Sequence, residues 1–112
     1  MAYTFDGSEG KPIDAATAQK WMANYKTSLK EPNDTLAHFF GFSIIEQILG
    51  EPGCKGIRIY YGIDDAGKKQ LLLIGADANG NNLWPDATAP AGGGGNIVAD
   101  YSFPCPDYCP PK

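Results

Sequence analysis

The stretch from Gly56 to Asp77, GIRIYYGIDDAGKKQLLLIGAD, constrains the fold of this chain more than any other. Ile57, Ile59, Tyr61 and Ile63 fall on alternate residues, and Gly56, Arg58, Tyr60, Gly62 and Asp64 take the other face. Period two with β-branched and aromatic side chains predicts a strand over 56–64 with one well-buried face. Leu71 to Ala76 is apolar on both parities, so the second strand, over 70–77, is expected to be central and covered on both sides. Between them the aspartates and Gly67 supply turn chemistry. The preferred connection is a three-residue loop over Asp65, Ala66 and Gly67, with Gly67 forming a bulge. It sets Ile57, Ile59 and Tyr61 across from Gly75, Leu73 and Leu71. A two-residue loop would oppose Ile59 to Ile74, and a strand apolar on both faces accepts either register.

Two helices are expected around this hairpin. Asp14 is a good N-cap for a helix over 14–30, whose Ala18, Trp21, Met22, Tyr25 and Leu29 make one apolar stripe. Pro32 supplies its stop. Ser43-Ile44-Ile45-Glu46 matches a capping box for a second helix over 44–50, ended by Gly50 and Pro52. Residues Thr35 to Phe42 read equally as a short strand or an irregular apolar link. The expected fold is α+β, a small antiparallel sheet centred on the hairpin with both helices packed on one face. A last strand over Ile97–Phe103 would lie beside the hairpin or pair with a second subunit as an edge. The Gly/Pro-rich loop 83–96 is expected to be mobile, and the tail 104–112 irregular because of its four prolines.

Composition excludes several functions. With 112 residues, the chain fits one domain, 1–112. Its net charge of −4 and scattered basic residues leave no electrostatic footprint for nucleic acid. The start MAYTFDGSEGK has no signal-peptide pattern, and no apolar run reaches membrane-spanning length. A cytoplasmic location is therefore expected, where the three cysteines stay reduced.

The helix ending Glu46-Gln47-Ile48-Leu49, the joint Pro52-Gly53-Cys54-Lys55-Gly56-Ile57-Arg58-Ile59-Tyr60-Tyr61, the Leu71–Asp77 strand and the terminal Pro104-Cys105-Pro106-x-x-Cys109 together resemble a family of small uncharacterised bacterial proteins. The resemblance implies a compact bacterial domain and no reaction. Locally, Phe103-Pro104-Cys105-Pro106-Asp107-Tyr108-Cys109-Pro110 is similar to the Cys-Pro-x-x-Cys-Pro copper motif of Sco-type cytochrome oxidase assembly proteins. There a long βαβ segment follows the motif and a distant histidine completes the site, so only the ligand chemistry is implied here.

The spacing of Cys105 and Cys109 suits two ligands on one metal, with Cys54 and His38 as candidate further ligands and zinc or Cu(I) as the natural guest of thiolates. Against this stand a buried structural Cys54 and a Cys105–Cys109 pair that is merely exposed, or oxidised to a disulfide. His38 lies in an apolar segment, the setting of a packed histidine. Asp64 and Asp65 are explained by the turn. Asp77, Asn79 and Asn81 echo a calcium loop, but position 12 of that count is Thr88, not a bidentate acid. No catalytic or cofactor-binding residue is identified. The expected function is a non-enzymatic module that binds a partner protein or small ligand, its contacts drawn from Trp84, Tyr101, Phe103 and Tyr108. The alternatives are a metal-binding or a thiol redox protein using Cys105 and Cys109.

Overall fold

The computed structural model of the chain describes residues 4–31, 33–86 and 95–111. In chain order its elements are α1 (Ala15–Ser28), β1 (Ala37–Phe39), α2 (Phe42–Leu49), β2 (Gly56–Ile63), β3 (Lys69–Ala76), β4 (Val98–Ala99) and β5 (Phe103–Cys105). The class is α+β. The chain forms two compact units, one of Met1–Glu9 with Phe40–Ser102 and one of Gly10–Phe39 with Phe103–Lys112. The Pro32 stop and most of the loop 83–96 lie outside the described residues.

The first unit is built on the hairpin. β2 and β3 pair antiparallel with Ile57 opposite Gly75, Ile59 opposite Leu73 and Tyr61 opposite Leu71, the register of the three-residue loop. Asp64 N–H donates to the Lys68 carbonyl and Gly67 N–H to the Asp64 carbonyl, each at 2.9 Å. Gly67 sits at φ +84, a conformation open to glycine at little cost. The order is β2-β3-β4, with β3 central as expected. Leu73 and Ile74 point to opposite faces of β3 and both are buried.

α2 packs on one of those faces. Its Ile48 joins Leu73, Ile97 and Ala99 in the core, with Ile44, Ile45, Cys54 and Ile57 against them. Eight residues of helix reach about 12 Å, whereas eight residues of strand reach about 27 Å. The helix covers the Ile57 end, and the row beyond it stays bare: Tyr61 is 93% and Ile63 75% exposed. The well-buried face expected for β2 is thus buried only at its start. The helix also begins one residue before Ser43, with Gly41 at the N-cap and no side-chain cap bond, so the capping box is not used.

The single strand expected over Ile97–Phe103 is two. β4 joins the hairpin sheet, the chain passes through Tyr101 at φ 61, and β5 pairs in the other sheet. A left-handed residue cannot continue a strand.

In the second unit, Asp14 Oδ1 accepts the Thr17 N–H at 2.7 Å and starts α1 as expected. The stripe is a different matter. α1 buries no residue, and Trp21 is 59% and Met22 68% exposed. Burial of this stripe on a sheet, expected from its periodicity, is not what the structure has. β1 and β5 form a two-stranded ladder with Ala37 opposite Cys105, His38 opposite Pro104 and Phe39 opposite Phe103. The tail is therefore regular at its start. Both strands of a two-stranded ladder are edges, where proline is tolerated.

Candidate functional site

The chemistry-bearing side chains of the tail gather around β5. Cys105 and Cys109 are joined by a disulfide, with their Cα atoms 4.6 Å apart. The Tyr108 N–H donates to the Pro104 carbonyl at 2.9 Å, closing the loop between the two cysteines. The Phe103 and Tyr108 rings lie with centroids 4.7 Å apart. Cys105 is a buried residue and Cys109 an exposed one.

His38 comes to the same place because its strand pairs with β5. It lines a cleft of about 370 Å³ with Phe39, Phe103, Tyr108 and Cys109. Partial burial holds its pKa below the usual histidine value, because the imidazolium loses hydration there.

Cys54 belongs to the other unit. Its thiol donates to the Gly56 carbonyl at 3.2 Å, and it stands at the hairpin entrance against the core. Of the four candidate ligands, then, β1 and β5 bring His38, Cys105 and Cys109 around one cleft, while the disulfide joins both sulfurs of that set and leaves neither as a thiolate. Among the described residues no three His, Cys, Asp or Glu side chains are grouped to hold a metal.

The larger concavity of the second unit, about 590 Å³, is a groove lined by Trp21, Met22 and Tyr25 of α1, by Leu36 and Ala37, and by Cys105 and Pro110. Its wall is mostly apolar, and Lys26 brings one cation to it. The volume lies within the range of small-ligand and anchor-residue sites. It shares Ala37, Cys105 and Pro110 with the His38 cleft, so the disulfide-bearing strand forms a wall of both.

Comparison with protein-family models, curated proteins and solved structures finds no match to this chain. The function is read from its own geometry. Among the described residues no helix is long and apolar enough to cross a membrane.

The acidic turn residues are explained locally. Asp64 Oδ1 accepts the N–H groups of Ala66 and Lys68, and Oδ2 accepts from the Gln70 amide, all at 2.9 Å. Asp77 Oδ1 likewise accepts the Asn79 and Asn81 N–H groups at 2.9 Å. These bonds hold both carboxyls below the ordinary aspartate value. The expected contact residues Tyr101, Phe103 and Tyr108 are exposed, as is Trp84. The groove-lining Leu36, Ala37 and Pro110 carry no local signal, since only the β1–β5 pairing brings them beside α1.

Proposed function

We propose that this chain is a non-enzymatic cytoplasmic binding module, and that the α1 groove receives an apolar segment of a partner protein. The observation that carries the reading is the stripe of α1: Trp21, Met22 and Tyr25 are aligned as for a core, yet remain exposed and line a groove of about 590 Å³. Aromatic and methionine side chains offer large, adaptable contact area at such surfaces. Lys26 in the lining selects for an acidic group beside the apolar anchor. Small bacterial proteins with a similar joint and tail are the context the reading fits.

Anilinonaphthalene sulfonate (ANS), an apolar anion, has the matching chemistry and serves as the probe. Saturable fluorescence enhancement is expected at one site, reduced about tenfold in affinity by Trp21→Ser with Met22→Ser and less by Lys26→Glu. Enhancement that does not saturate, or that the double variant leaves unchanged, contradicts the reading.

A second reading, thiol redox, is favoured by the Cys105–Cys109 disulfide, whose Cys109 is an exposed residue. Two glutathione thiols would reduce it, giving two protein thiols and one glutathione disulfide. A disulfide unchanged across physiological glutathione ratios contradicts this. The reduced pair is also the only form available to zinc or Cu(I), since a disulfide offers no thiolates. Elemental analysis of reduced protein against Cys105→Ser decides that, and equal metal content in both excludes it.

A further inference from the structure

We propose that the Cys105–Cys109 disulfide is a redox switch for the α1 groove: the oxidised chain has the complete groove, and reduction frees its Pro110 wall and weakens binding there. The proposal rests on the binding role given to that groove and adds its regulation. The groove and the disulfide belong to the same unit. Of the groove's lining residues, Cys105 begins the disulfide loop and Pro110 directly follows its end.

These two parts of the wall are held by different means. Cys105 is buried, stands opposite Ala37 in the β1–β5 ladder, and its carbonyl accepts the Leu36 N–H at 2.8 Å. A reductant leaves these ties in place. Pro110 has no ladder to hold it. Every residue from Asp107 to Pro111 is exposed, and the prolines at 106, 110 and 111 have no N–H to donate. Once the disulfide opens, the Tyr108 N–H bond to the Pro104 carbonyl, at 2.9 Å, and the Phe103–Tyr108 ring contact remain. One exposed hydrogen bond and one ring pair stabilise less than the backbone entropy of the segment 106–111 costs. Reduction therefore keeps the Cys105 side of the groove and releases the Pro110 side.

The exchange balances with two thiols of glutathione as the reductant. The Cys105–Cys109 sulfur–sulfur bond breaks, each sulfur gains one electron and one proton, and a new disulfide joins the two glutathione sulfurs. Binding and redox state are linked. An occupant that prefers the oxidised groove by a given factor shifts the thiol–disulfide equilibrium toward the disulfide by the same factor. An occupied groove thus protects the bond that shapes it.

ANS titrations of the oxidised chain, of the chain reduced with excess dithiothreitol, and of Cys109→Ser provide the test, with circular dichroism to check that α1 persists in each. The oxidised chain is expected to bind at one saturable site, and the other two at least about threefold more weakly. Pro110→Gly, which keeps the disulfide, is expected to bind as weakly as the reduced chain and to respond little to dithiothreitol. In a glutathione buffer, saturating ANS should raise the ratio of oxidised to reduced native chain by the factor separating their affinities. The reduced native chain carries no substitution, so the comparison stands whether or not the variants fold. Equal or tighter binding by the reduced chain would overturn the switch and leave the groove reading in place. Failure of the oxidised chain to bind saturably would instead contradict the groove reading, and the switch with it.

Discussion

Glu51 Oε2 accepts the backbone N–H of Ile97 at 3.0 Å, joining the end of α2 to the entrance of β4 across 46 positions of sequence. Both residues are buried, Glu51 at 7% exposure, and the carboxylate supplies the partner that the Ile97 N–H would otherwise lack. Its other oxygen, Oε1, is buried and has no hydrogen-bond partner among the described residues.

Glu51→Ala is therefore expected to destabilise the hairpin unit by about 2 kcal/mol, the cost of a buried donor left unsatisfied. Glu51→Gln keeps an acceptor oxygen and should lose less than half as much. Urea denaturation of the three proteins checks this, and equal losses would show that the Ile97 bond is not what Glu51 contributes.

Gly75 is held against the same cluster. A Cβ there would stand 3.1 Å from the Cys54 sulfur, 3.2 Å from Glu51 Oε1 and 3.3 Å from Ile48 Cγ2. Gly75→Ala is expected to cost about 1–3 kcal/mol through overpacking. Adding Cys54→Ala removes the closest of the three contacts, so the double variant should lose less than the sum of the two singles. Strict additivity in denaturation would contradict the packing described.

The hairpin turn carries a pH signature. The Lys68 N–H first, then the Gln70 amide, favour the ionised form of Asp64 and lower its pKa in the folded chain. A carboxyl depressed in this way contributes stability above its unfolded pKa of about 4 and loses it as pH falls through the lower folded value. Thermal midpoints should fall as pH drops below about 4, and Asp64→Asn should flatten part of that slope. An unchanged slope in the variant would assign the acid sensitivity to other groups, Asp77 first among them.

Gly67→Ala places a Cβ at φ +84 and is expected to destabilise the hairpin by about 1 kcal/mol. The equilibrium denaturation midpoint reads it directly.

The hairpin and its turn were legible in the sequence because their determinants are local: alternation in β2, the doubly apolar β3, and a glycine where the loop needs positive φ. The Asp14 cap was legible for the same reason. Periodicity also revealed the stripe of α1, but it reports alignment and says nothing of what covers the aligned side chains. The bare row of β2 was likewise invisible, since it arises from the short reach of α2. Glu51 carries no local signal in the sequence, because its partner Ile97 is far along the chain. The spacing of Cys105 and Cys109 marked a reactive pair without distinguishing a disulfide from two metal ligands. The walls of the α1 groove come from three separated segments, and only the β1–β5 ladder assembles them.

Amide chemical-shift mapping during an ANS titration tests the binding role of that groove most directly. The account predicts saturable shifts concentrated on Trp21 to Lys26, Leu36, Ala37 and Cys105. Shifts spread over the surface, or confined to residues away from α1, would contradict it.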